Sequence, residues 1–215
     1  MSIRLPAFRG AIFDLDGTLL DSMHVWKEVD REFLTRRNLP VEEDYMEQVA
    51  TMGFRLAAEH TIAHFGLSET PEDIMAEWSG MVIEAYTHHV QLKPGAAAYL
   101  RRLKEKGVRL AVATASDESI FRPTLERTGI FPLFHSFTTV GEVQKSKDFP
   151  DIYRRAAEKL GLPPGDCVVF EDVPAAIRSA KAGGFFTVGL CTPGDESRAR
   201  ACADVAISGF EELLK

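Results

Sequence analysis

Two aspartates stand two residues apart in Ile12-Phe13-Asp14-Leu15-Asp16-Gly17-Thr18, directly after an apolar run and just before a glycine. Carboxylates this close repel one another unless a cation lies between them or one carries a proton. The pair therefore suits a hard metal ion together with an acid/base, and a carboxylate can also capture a phosphoryl group as a nucleophile. The plainer reading is a polar turn after a strand. Three later places repeat the arrangement. Thr114, with Ala115 and Ser116, closes the apolar run Leu110 to Ala113. Its hydroxyl and the neighbouring N–H groups could hold phosphate oxygens, or Thr114 could cap a helix. Lys147, in Lys145-Ser146-Lys147-Asp148-Phe149-Pro150, offers a point charge for a phosphate, or is an ordinary solvated lysine. Glu171-Asp172 follows the run Cys167 to Phe170; Asp172 would complete a metal shell begun at Asp14, or would cap a helix. Taken together and in this order, the four supply a nucleophile, a cation site, charge neutralisation and an acid/base, which are the parts that phosphoryl transfer needs.

Such residues work only if one scaffold brings them to one edge. Ala11 to Phe13, Val108 to Ala113, Cys167 to Phe170, Phe185 to Leu190 and Val205 to Ile207 are short continuous apolar runs. Runs of this kind are strands covered on both faces, and helices between them are parallel crossovers. Tyr99 to Gly107 reads as the end of one such helix and Ala175 to Gly184 as another. The fold class is α/β, a doubly wound, Rossmann-like parallel sheet, and ligands of such sheets bind beyond the carboxyl ends of the strands. From about Asp21 to Gln91 the alternation stops and only helical periodicity remains: Val25, Val29 and Phe33, then Ile74, Trp78, Met81 and Ala85. The organisation expected is an α/β core of residues 1–20 and 92–215, with residues 21–91 inserted as a helical module.

Composition narrows the class. The chain of 215 residues is 45% hydrophobic and 27% charged, with no apolar run near the roughly 20 residues needed to cross a bilayer. Three cysteines without paired spacing (Cys167, Cys191, Cys202) read as reduced thiols, and the first ten residues lack an apolar signal region, so the expected location is cytoplasmic. A formal charge of −7 excludes a general nucleic-acid surface but not a small phosphorylated metabolite, for which a few local cations suffice. Neither nucleic acid nor membrane is an expected partner, and the expected state is a monomer.

Asp14-Leu15-Asp16-Gly17-Thr18-Leu19-Leu20-Asp21-Ser22 resembles the first signature of the haloacid dehalogenase superfamily, and Thr114, Lys147 and Glu171-Asp172 match its second, third and fourth. The likeness runs from about Arg9 to the end of the chain. The insert resembles the C1-type helical cap of subfamily I, in the phosphoglycolate phosphatase and β-phosphoglucomutase branch. The resemblance implies Mg²⁺ held by Asp14, the main-chain carbonyl of Asp16, and Asp172, with Glu171 acting through water or as a minor partner. It implies Asp14 as nucleophile and Asp16 as acid, then base. It also implies Thr114, Ala115 and Lys147 around the phosphoryl group. Two departures stand out. Asp148 replaces the first proline of the usual Lys-Pro-x-Pro, which leaves Lys145 as a second candidate for the lysine. Val173 and Ala176 stand where the family usually has serine and glycine.

The activity expected is Mg²⁺-dependent hydrolysis of a small phosphate monoester, with sugar phosphates among the candidates. A phosphohexomutase is the alternative. That branch carries a hinge histidine twelve residues after the nucleophile, where this chain has Trp26, and a lysine just after the second motif, where it has Asp117. A non-catalytic phosphate-binding protein is the reading of a different class; loss of Asp14 or Asp16 would have supported it, and both are present. His24, Trp26 and Arg55, with Gly53 and Phe54, are the candidates for substrate contact in the cap.

Overall fold

Gly10–Phe13 and Cys167–Glu171 are buried along their whole lengths. Strands with no solvated face belong in the interior of a parallel sheet. In a computed structural model, which describes residues 3–42, 45–46, 49, 54–191 and 201–215, these are β1 and β4. They pair with each other at the centre of a six-stranded sheet of order β3-β2-β1-β4-β5-β6, all parallel. The others are β2 (Arg109–Thr114), β3 (Ser136–Thr139), β5 (Phe186–Leu190) and β6 (Val205–Ile207). β3 has no apolar run to announce it. Its sequence is Ser-Phe-Thr-Thr, and as an edge strand it needs less apolar surface than β1 or β4.

The chain divides into two compact units, Met1–Asp21 with Gln91–Lys215, and Ser22–Val90. In the first, the sheet is covered on both faces. Ile12, Ala111, Ala113 and Val169 pack under Ile152, Tyr153, Ala156 and Leu160 of the amphipathic helix Asp151–Leu160. On the opposite face Phe13 stacks on Phe170 with centroids 4.4 Å apart, and Tyr99 and Phe210 close over them. Tyr99 comes from the helix Ala96–Glu105.

The second unit holds α1 (Val25–Arg36), α2 (Phe54–Phe65) and α3 (Pro71–His88); in chain order the core helices are then α4 (Ala96–Glu105), α5 (Glu118–Arg127), α6 (Val140–Val143), α7 (Asp151–Leu160) and α8 (Pro174–Ala182). α3 starts where its sequence says it should: Thr70 Oγ1 accepts from Asp73 N at 3.2 Å, Asp73 Oδ2 accepts from Thr70 N at 3.1 Å, and Pro71 opens the helix. Val25, Val29 and Phe33 are buried as the periodicity requires. On α3 the buried line is Ile74, Trp78, Val82 and Tyr86, one residue round from Met81 and Ala85, which are half-buried. Phe33 meets Trp78 edge to face at 5.4 Å, and Arg37 forks onto Glu69 and Glu77. Among the described residues no helix is long and apolar enough to cross a membrane.

Two tests follow from this packing. A Cβ added at Gly10 would lie 2.7 Å from Cys167 Sγ and 2.8 Å from Leu162 Cδ1. Gly10→Ala is expected to lower stability by about 1–3 kcal/mol. The urea midpoint would fall at an unchanged slope, and a parental midpoint would refute the close approach of β1 and β4. Asp30 on α1 is largely buried, and burial pushes its carboxyl up to about 6. The folded state therefore holds the proton more tightly than the unfolded state. Its contribution is fully present below about pH 4 and is lost as the pH rises through about 6. Asp30→Asn is expected to exceed the parent in stability by about 1–3 kcal/mol at pH 7 and to match it near pH 4. Denaturation curves at the two pH values check this; an equal difference at both would rule it out.

Candidate active site

The register of the sheet sets the site. Phe13 is level with Val112 and Phe170, so Asp14 leaves β1 abreast of Glu171, the last residue of β4. The Asp14 N–H donates to the Phe170 carbonyl at 3.0 Å and carries the β1–β4 pairing one residue past the strand. Gly17 then turns the chain at φ 80°, in the left-handed region where glycine has no Cβ penalty. The carbonyl of Leu15 accepts from Thr18, Leu19 and Leu20 and closes that turn. Thr114 ends β2 and is fully buried. Lys147 arrives from the segment between α6 and α7.

Four ionisable side chains meet here almost out of water. The Lys147 ammonium donates to both Asp14 Oδ1 and Glu171 Oε1. The side chains of Lys147, Asp14 and Glu171 are 14%, 7% and 1% exposed. Tyr153, on the buried face of α7, donates its hydroxyl to Glu171 Oε1 at 2.9 Å. The N–H groups of Asp172 and Val173 reach Glu171 Oε2 at 3.0 and 3.2 Å, so Glu171 is held from several sides. Thr18 donates to Asp172 Oδ1 at 3.1 Å. Asp14, Glu171 and Asp172 each offer an oxygen, and the three oxygens lie within 4.8 Å of one another.

Electrostatics follow from this crowding. Burial raises the Asp14 carboxyl well above the usual range; Lys147 pulls it back, while Glu171, Asp172 and Asp16 push it further up. Burial, then the charge of Glu171, raises Asp172 to about 6. Burial alone would lower Lys147, but the two carboxylates it touches hold it above the ordinary lysine value, so it stays a cation. Fully ionised, three carboxylates and one ammonium would carry two negative charges in a poorly solvated cleft, a costly state that the raised Asp14 and Asp172 carboxyls reflect. Hard oxygen donors this close suit a divalent ion such as Mg²⁺.

The other sequence candidates fall as follows. Asp16 accepts from Ser116 Oγ at 2.5 Å, and the Ser116 N–H donates to Thr114 Oγ1 at 3.1 Å. Ala115 is exposed beside them. Lys145 points to Asp151, at 2.7 Å, and is half exposed, so Lys147 is the lysine beside Asp14. Asp148, in place of the proline, accepts from Ser146 Oγ at 2.9 Å and closes the same turn by a hydrogen bond. In the helical unit His24 is exposed ahead of α1, Trp26 is 43% exposed, and Arg55 pairs with Glu72 at 2.6 Å. His88 and His89 are exposed. Gly53 and the side chain of Phe54 lie outside the described residues. Thr18 and Tyr153 join the network without having been singled out, and Ser116, named beside Thr114, joins it through its hydroxyl. Tyr153 had one signal: a tyrosine on the buried stripe of α7 needs a partner for its hydroxyl.

A family model for haloacid dehalogenase-like hydrolases matches residues 8–205. The chain is 31% identical to hexitol phosphatase A of Escherichia coli strain K12 over 207 residues, covering 95% of this chain and 93% of that one. It is 28% identical to the β-phosphoglucomutase of Bacillus subtilis over 85% of this chain and 83% of that one. The crystal structure of CbbY from Rhodobacter sphaeroides in complex with phosphate superposes with a TM-score of 0.78 at 25% identity, covering 96% of each chain. With its parallel sheet and the acidic cluster beyond the strand ends, the chain belongs to the haloacid dehalogenase-like hydrolases, in the branch that holds both phosphatases and β-phosphoglucomutases.

Proposed function

We propose that the chain is a Mg²⁺-dependent phosphatase that hydrolyses a small phosphate monoester, of the sugar-phosphate class, through an aspartyl-phosphate on Asp14. The observation that carries this is the close set of Asp14, Glu171 and Asp172 beside one lysine, more carboxylates than a single ammonium can balance. Asp14, Asp172 and the main-chain carbonyl of Asp16 would hold the ion, with Glu171 in the same cluster. Bound there, Mg²⁺ would screen the charge between an attacking carboxylate and phosphate oxygens.

The residues divide the work in two halves. Asp14 Oδ bonds to phosphorus while the bond to the leaving oxygen breaks and Asp16 gives that oxygen its proton, releasing the alcohol. Asp16 then takes a proton from water as the water oxygen attacks phosphorus. The Asp14–phosphorus bond breaks, and inorganic phosphate leaves. Lys147 steadies the nucleophile and neutralises the transferring group, and the Thr114 hydroxyl, whose lone pair already serves Ser116, keeps its proton for a phosphate oxygen. Trp26, where the mutases carry a hinge histidine, favours water over a second sugar as acceptor. Substrate choice is assigned to the inserted helical unit, with His24, Trp26 and Arg55 as its candidates.

Mg²⁺-dependent release of phosphate from p-nitrophenyl phosphate is expected, falling by at least about 1,000-fold in Asp14→Asn. Failure to turn over any of a wide panel of phosphate esters would exclude the enzyme. Interconversion of hexose 1- and 6-phosphates without phosphate release would make it a mutase instead. Removing the cation from the cluster has its own consequence. In chelator, Lys147→Met is expected to lose about 3–5 kcal/mol of stability, because it leaves the buried carboxylates uncompensated. Added Mg²⁺ should restore more in the variant than it adds to the parent. A variant as stable as the parent in chelator would remove Lys147 from this role.

A further inference from the structure

The Asp16 carboxylate is half-buried at the site, and its last side-chain torsion is of the broad, two-fold kind that fixes little by itself. Ser116 Oγ donates to Asp16 Oδ2 at 2.5 Å across a sequence separation of 100 residues. Ser116 is itself held: its N–H donates at 3.1 Å to Thr114 Oγ1, and Thr114 is fully buried at the end of β2. A rigid strand end thus fixes a serine, and the serine fixes a carboxylate on the neighbouring strand's loop.

We infer that Ser116 is a positioning residue for Asp16, setting the rotation of the carboxylate that exchanges a proton with the leaving oxygen and later with water. The inference rests on the role of Asp16 proposed above. Its effect must depend on how much the leaving group needs a proton. An aryl oxide departs readily as an anion, whereas an alkoxide must be protonated as the phosphorus–oxygen bond breaks. Misplacing an acid by about 1 Å can cost about 100-fold, within the 10²–10⁴-fold that general acid catalysis contributes.

The test measures kcat/KM, which reports steps up to loss of the first product, on a series of aryl and alkyl phosphate monoesters with Mg²⁺. Ser116→Ala is expected to lose about 10- to 100-fold on the alkyl esters. On p-nitrophenyl phosphate it should stay within about threefold of the parent, which also shows that the variant is folded. The dependence on leaving-group acidity therefore steepens. Ser116→Thr keeps the hydroxyl and should return the parental slope. A uniform loss across the series, as for a lost phosphate contact, or no recovery in Ser116→Thr, overturns the inference. Asp16→Asn separates the two claims. If it steepens the slope and Ser116→Ala does not, the positioning role alone fails. If Asp16→Asn leaves the slope parental, the acid role fails and this inference with it.

Discussion

Lys147 lies between Asp14 and Glu171, and much of the core unit is arranged so that this buried ion triad can exist. A carboxylate taken out of water without compensation would cost several kcal/mol. Here compensation comes from one lysine, from the tyrosine hydroxyl of Tyr153, and from two backbone N–H groups aimed at Glu171. Each donor comes from a different stretch of chain: the segment before α7, α7 itself, and the turn after β4. The carboxylates outnumber the ammonium, and a cluster of this kind could hold a divalent ion.

The parallel sheet is what lets carboxylates crowd in this way. β1 sits between β2 and β4, so the loops after three neighbouring strands open at one edge. Both faces of the sheet are spent on packing: small and aliphatic side chains under α7 on one side, stacked aromatics under α4 on the other. With the faces closed, the strand ends are where polar groups can emerge from a rigid support. A rigid support matters for chemistry in which small displacements are costly.

Hydroxyls then tune the carboxylates. Thr18 binds Asp172, Tyr153 binds Glu171 and Ser116 binds Asp16. Asp14 differs, as its side chain pairs with the lysine rather than with a hydroxyl. Pairing with a cation pulls the Asp14 carboxyl back towards its ionised form against the effect of burial, and a hydroxyl bond can turn and hold a carboxylate without adding charge.

Much of this could be read along the chain. The continuous apolar runs identified β1, β2, β4, β5 and β6, because strands buried on both faces leave no polar alternation. They did not reveal β3, whose serine and threonines satisfy an edge position but mimic a loop. The acidic pairs and the threonine were visible because polar groups closing an apolar run stand out, and the lysine because it falls in order between them. The spacing to Pro150 pointed to Lys147 and left Lys145 as the less favoured candidate. The two are two residues apart, and only the path of the segment into α7 turns one towards Asp14 and the other towards Asp151. In the same way the sequence by itself determined which residue types could do chemistry and which strands would carry them. Tertiary structure decided that Glu171 joins Asp14 and Asp172, that Tyr153 supports it, and that Ser116 reaches Asp16. Those contacts span up to 100 residues or more of chain, and neighbours of that kind are set by strand register and helix packing, not by local pattern.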